Sequence, residues 1–192
     1  MLALGHQSVS AQTLLSNLAN TATGTASFDS SWPVYQSFLV GSSDATIQQL
    51  RIALGSVPPG IGSDPFYVQT SLLSDNASAP GSSLGAFNYY GSPLDFSYNT
   101  PYFNGNFNVT ANTRYWIRVD SIGWNNSGSE VLTTSDSSEA GTAGWSIDDS
   151  SLRRYGVTGP SIEMEIIGVQ ELSALSLLAV GLSGLAIRRR RS

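Results

Sequence analysis

Glu163 and Glu165 stand two positions apart in a run of alternating apolar residues. On a strand they would share one face about 7 Å apart, a separation that suits the acid and base of a glycoside hydrolase. The competing reading is a solvated strand face, and it is preferred because no cleft is marked around the pair. Nucleophile and transition-metal chemistry have less to work with. The chain has no Cys and a single His, His6, so neither a zinc-type site nor a Ser-His-Asp arrangement can be assembled. Hard oxygen donors are better represented. Asp75 with Asn76, Asp148 with Asp149, and Asp64 are weak candidates for a structural calcium, although Asp and Asn also occupy turns for backbone reasons. Trp116, Trp124 and Trp145 are candidates for stacking against sugar rings. Trp32, Tyr89, Tyr90, Tyr98, Tyr102 and Phe103 add to the aromatic supply. The alternative is that these rings fill a core.

The elements that must position these side chains are strands. Phe66, Val68, Thr70 and Leu72 alternate with Tyr67, Gln69, Ser71 and Leu73; Leu50, Ile52 and Leu54 alternate with Arg51 and Ala53; Tyr115, Ile117 and Val119 alternate with Trp116, Arg118 and Asp120. Each is the pattern of a half-buried antiparallel strand. Of Tyr115 and Trp116, one must then point away from the core or into an edge. Ile162, Met164 and Ile166 against Glu163, Glu165 and Ile167 predict a closing strand over Ser161 to Gly168. Turns are expected at Pro58-Pro59-Gly60, Ala79-Pro80-Gly81, Gly91-Ser92-Pro93 and Asn104-Gly105-Asn106. The Ser-rich stretch from Ser127 to Ser138 reads as a flexible exposed excursion. No helical period precedes Leu172. The expectation is an all-β, antiparallel two-sheet β-sandwich, jelly-roll-like, over residues 12–168, followed by one short C-terminal hydrophobic helix.

Charge is divided unevenly. Between Gln12 and Gly168 lie 13 acidic residues against Arg51, Arg114, Arg118, Arg153 and Arg154, a net of about −8, while the C-terminus is basic. An acidic body lacks the footprint that phosphate binding needs, which argues against nucleic acid as a partner. Leu172 to Ile187 is an apolar run of 16 residues, ending in Arg188-Arg189-Arg190-Arg191. As a helix it would cover about 24 Å, just short of a hydrocarbon core of about 30 Å, within reach of thinning or of snorkelling arginines. The arginines act as a stop and place the extreme C-terminus in the cytoplasm, with the body outside. At the other end, Val9 and Ala11 have the small-residue spacing of a signal-peptidase site, so residues 1–11 read as a remnant of a signal peptide whose start lies upstream. A frayed N-terminus is the plainer alternative.

The tail resembles a PEP-CTERM sorting segment over residues 169–192. Val169-Gln170-Glu171-Leu172-Ser173 precedes the apolar run and the arginines in the family's order. The Pro-Glu-Pro of that family stands here as Gln170, Glu171 and Leu172, so Glu171 alone matches. Between residues 13 and 168 the chain is similar to the R-type choice-of-anchor domains, through Tyr35-Gln36-Ser37-Phe38, through Ser71 to Asn76 followed by Ala79-Pro80-Gly81, and through Ala111 to Ile117. The resemblance implies a Gram-negative host, an exosortase-like processing enzyme, transient anchorage in the inner membrane, and delivery to the envelope or its polysaccharide matrix. It implies no reaction and no cofactor. The expected protein is thus exported and non-enzymatic; the alternatives are a carbohydrate-binding module and a tail-anchored envelope protein that is never cut.

Overall fold

The computed structural model describes residues 10–55, 67–89, 100–122, 129–136, 139–148, 152–154 and 157–171. These residues form an all-β, antiparallel fold. In chain order the strands are Gln12–Ser16 (β1), Gly24–Phe28 (β2), Val34–Leu39 (β3), Ala45–Ile52 (β4), Tyr67–Asp75 (β5), Pro80–Tyr89 (β6), Tyr102–Val109 (β7) and Arg114–Ile122 (β8). Ser129–Thr134 (β9), Ala140–Gly141 (β10), Ser146–Ile147 (β11), Leu152–Arg154 (β12), Val157–Gly159 (β13), Ser161–Ile162 (β14) and Met164–Gln170 (β15) follow. The large sheet runs β10-β1-β15-β4-β7-β6-β5-β8-β3-β12-β13, with β11 also on β3; the small sheet runs β14-β9-β2.

The large sheet behaves as two halves. Its midpoint, β6 against β7, is joined only through Asn88 with Asn104 and Tyr89 with Phe103, whereas β4 with β7 and β5 with β8 are zipped along most of their length. The sheet curls so that both halves feed one core. Ile47, Leu50, Ile52, Phe103 and Ile166 come from one half, Val34, Phe38, Leu72, Ile117 and Val119 from the other, and Phe28, Val131 and Ile162 from the small sheet. Each such side chain contributes about 1.5–3 kcal/mol by leaving water. No Cys is present to assist, so this burial carries the fold.

The alternation expected for β4 and β5 is present over residues 50–52 and 68–72, whereas β8, expected to be half-buried, is buried on both faces, Trp116 and Asp120 included. The expected closing strand is instead two strands, because the chain breaks at Glu163 as it passes from the small sheet into the large one. Two buried amides hold that crossing. Asn17 accepts from the Met164 N–H at 2.7 Å and donates to the Ile162 carbonyl at 3.0 Å, and Gln36 accepts from the Ile162 N–H at 3.1 Å.

Two expected turns are corrected. Asn104-Gly105-Asn106 lies inside β7: a Cβ at Gly105 would stand 2.6 Å from the Phe87 and Phe107 rings. This glycine lets two aromatics, edge to face at 4.7 Å, lie against the strand. The β5–β6 turn is Asn76 to Ala79, with mutual hydrogen bonds between those two residues, and Pro80-Gly81 already belongs to β6. The Ser-rich excursion is corrected as well. Ser129 to Thr134 form the middle strand of the small sheet, with Ser129, Thr133 and Thr134 buried. Phe66, Pro58-Pro59-Gly60, Gly91-Ser92-Pro93, the first nine residues and the stretch from Leu172 to the C-terminus, including the expected helix, lie outside the described residues.

Candidate functional site

An open cluster of polar side chains is built by β4, β7, β15 and the end of β6. On β7, Phe103 and Val109 turn into the core, so Tyr102, Asn104, Asn106 and Asn108 turn away from it. On β4 the register slips between Ile47 and Gln49. This bulge leaves Ile47 and Leu50 inside while bringing Thr46, Gln49 and Arg51 to the outer face. Pairing aligns the rows: Glu165 with Arg51 and Tyr102, then Ile167 with Gln49, Asn104 and Asn88, then Val169 with Thr46 and Asn108.

The rows are cross-linked. Gln49 Nε2 donates to Asn104 Oδ1 at 2.9 Å, and Thr46 Oγ1 donates to Asn108 Oδ1 at 2.9 Å. Arg51 Nη1 meets Glu165 Oε2 at 2.7 Å, its Nη2 donates to Thr100 at 3.2 Å, and Glu165 Oε1 accepts from Thr13 at 2.9 Å. The Arg51 guanidinium also lies 4.7 Å from the centre of the Tyr102 ring, within cation–π range. Tyr102 remains 49% exposed. Each amide spends one group on its neighbour and keeps others, the two N–H of Asn104 and the carbonyl of Gln49 among them. The face is therefore a set of fixed donors and acceptors around one open ring, with its two charges compensating each other.

The side chains singled out from the sequence are distributed differently. Glu163 and Glu165 do not share one open face: Glu165 is held by Arg51 and Thr13, while Glu163 is only 4% exposed, so the solvated face expected for it is corrected. Its Oε1 has no hydrogen-bond partner among the described residues, and burial pushes its carboxyl above the ordinary range. Trp116 and Trp145 are buried, and their expected role as stacking platforms is corrected. Trp116 donates Nε1–H to Asp75 Oδ1 at 2.7 Å, and Trp145 stacks on Phe38 at 6.0 Å. Tyr115 is buried too, so neither member of that adjacent pair is given up to solvent. Trp124, Tyr90 and Tyr98 lie outside the described residues.

Of the calcium candidates, Asp75 also accepts from the Ser78 N–H at 3.1 Å through Oδ2, and Asp148 pairs with Arg114 at 3.7 Å. Asp64 and Asp149 lie outside the described residues. Asp75 and Asn76 line a shallow polar hollow of about 410 Å³ with Ser74, Pro80, Gly81 and Ser82. Among the described residues no group of three or more His, Cys, Asp or Glu is placed to hold a metal ion.

The segment expected to begin at residue 169 starts inside the fold. Val169 and Gln170 are the last residues of β15, paired with Thr46 and Ala45, and the exposed Glu171 donates its N–H to the Asp44 carbonyl at 2.8 Å. Leu172 and Arg188, Arg189, Arg190 and Arg191 lie outside the described residues.

Arg51, Gln49, Asn104 and Asn108 were not singled out from the sequence as a site. The signal was the period-two run from Tyr102 to Asn108, which a turn-like Asn-Gly-Asn concealed. Fold and face together define an all-β protein with a polar, partly aromatic sheet surface. No protein-family model matches the chain, and no curated protein matches it.

Proposed function

We propose that this chain is an exported, non-enzymatic protein of the cell surface or extracellular matrix. Its body is a two-sheet, jelly-roll-like sandwich. Its C-terminal PEP-CTERM-like segment anchors it briefly in the inner membrane as a short helix and is then cut by an exosortase-like enzyme. The observation that carries this reading is the order of the last described strand and the sequence that follows it. β15 ends at Gln170, Glu171 is exposed, and the apolar run with its four arginines follows at once. A signal-peptidase cut after Ala11 would likewise leave β1 whole, since that strand starts at Gln12.

The test is fractionation of the producing cell with an intact mass from each fraction. Loss of the segment after about Glu171, with the body outside the cell, supports sorting. A full-length mass in the inner membrane overturns it in favour of an uncut tail anchor. Carbohydrate binding is the second function the body supports, and what favours it is the outer face of β4 and β7.

A further inference from the structure

We infer that the outer face of β4 and β7 binds an uncharged polysaccharide chain, with Tyr102, Asn104 and Gln49 as its central contacts; this rests on the carbohydrate reading of the body. Three properties of the face select that ligand. Its chemistry is that of hydroxyl recognition, because carboxamides offer donors and acceptors side by side, and Gln49, Asn104, Asn108 and Asn88 present four of them in register. Its charge is balanced locally, since Arg51 is matched by Glu165 at 2.7 Å. Among the described residues this face has no surplus cation to attract a polyanion, and the field of an otherwise acidic body repels one. Its one open aromatic ring among the described residues, Tyr102, offers a flat apolar surface of the kind that covers the C–H face of a sugar.

Length argues for a chain over a single sugar. Tyr102 and Asn108 are six residues apart on one strand, about 20 Å at the rise of an extended chain. Among the described residues the face is a sheet surface, so a lone monosaccharide would touch only a few of these groups. A polymer lying along β7 meets them in succession, and many weak contacts add up without a pocket. Preorganisation favours such binding as well: the Gln49–Asn104 and Thr46–Asn108 bonds fix the amides before a ligand arrives, which lowers the ordering cost.

The test is native affinity electrophoresis of the full chain in mild detergent, in gels cast with a galactomannan, a mixed-linkage β-glucan or alginate. We expect retardation by at least one of the two neutral polymers and none by alginate. Tyr102→Ala and Asn104→Ala should each weaken it about tenfold, the loss expected on truncating a central interface residue, while Trp32→Ala, at the other strongly exposed aromatic among the described residues, should leave it unchanged. Unchanged thermal unfolding of the variants separates lost contacts from lost structure. Neutral-polymer retardation that survives both substitutions overturns this site and leaves the carbohydrate reading standing. Retardation by alginate alone overturns the uncharged ligand. Mobility unaffected by any of the three overturns the inference and the carbohydrate reading together.

Discussion

On β8 the residues that alternate away from the core include Trp116 and Asp120, and both are buried; on β7 the corresponding positions include Tyr102 and Asn108, and both are exposed. The two strands lie in opposite halves of the same sheet, with the same pleat and a similar mixture of aromatic and polar side chains. In the β8 half, Ser37, Trp116 and Leu73 form a row across β3, β8 and β5. All three are buried, yet none belongs to the main core cluster. In the β4–β7 half the matching rows hydrogen-bond laterally and stay open. Pleat decides which way a side chain points, and coverage decides whether it can meet a ligand. The covered face withdraws its polar atoms from solvent, some paired, as where Trp116 donates to Asp75, and some without a partner among the described residues, as at Asp120 Oδ1, while the open face keeps donors in reserve.

The largest contrast is between the two aromatic residues themselves. Trp116→Ala removes a ring that is 1% exposed together with its hydrogen bond, and the loss should be about 3–5 kcal/mol. Tyr102→Ala removes a half-exposed ring and should change stability by no more than about 0.5 kcal/mol. Urea unfolding of both variants measures the difference. Equal losses would mean that the β7 face is as structural as the β8 face, and its reading as a binding surface would fail.

Much of the fold was legible because strand alternation is a local signal: Leu50 and Ile52, Val68 and Leu72, and Ile117 and Val119 were each grouped on one face of a strand from their spacing alone, and all are buried. The site was far less legible. Whether Trp116 or Tyr102 is covered depends on segments remote in sequence, which a period of two does not encode. Gly105 misled for a related reason, since Asn-Gly-Asn has turn chemistry and only the Phe87 and Phe107 rings, brought together by β6 and β7, give the glycine another use. Ser129 to Thr134 misled through composition, because hydroxyl side chains can be buried when a sheet satisfies their backbone.

The next effect sharpens the same comparison at the start of β15, where one carboxylate is buried with an oxygen unpartnered among the described residues and its near neighbour is ion-paired. Glu165 has Arg51 and Thr13; Glu163 is buried with an unpartnered oxygen. Burial raises the Glu163 carboxyl above its ordinary 4.5, so between that value and its raised folded value the native state holds more protons than the unfolded chain. Its contribution to stability is complete below about pH 4.5 and is lost as pH rises through the folded value. Glu163→Gln should therefore raise the urea midpoint at pH 7, by on the order of 1 kcal/mol, and the gain should shrink toward pH 4. Asp120 is also raised by burial, with Arg118 opposing the shift. Asp120→Asn should bring no such gain, because it leaves Arg118 without its 2.5 Å partner. A gain from Glu163→Gln that is independent of pH would locate the effect in packing and not in the buried charge.

The smallest effect lies at the tip of the β5–β6 hairpin, on the covered side of the molecule. Ala77 and Ser78 have φ of 51° and 65°, both in the left-handed region that a tight two-residue hairpin turn requires and that glycine or asparagine occupies with less strain. Ser78 has local compensation, since its N–H donates to Asp75 and its Oγ accepts from Arg114 at 3.0 Å. Ala77 is exposed and makes no hydrogen bond through its side chain. Ala77→Gly should relieve up to about 1 kcal/mol of backbone strain, part of which is returned through the greater freedom of glycine in the unfolded chain. A net gain of roughly 0.5 kcal/mol is expected, visible as a small rise in the unfolding midpoint. Ser78→Gly should gain less or lose, because the Arg114 bond goes with the side chain. If both glycines stabilise equally, the Ser78–Arg114 bond adds little, since the Ser78 N–H to Asp75 bond survives the substitution.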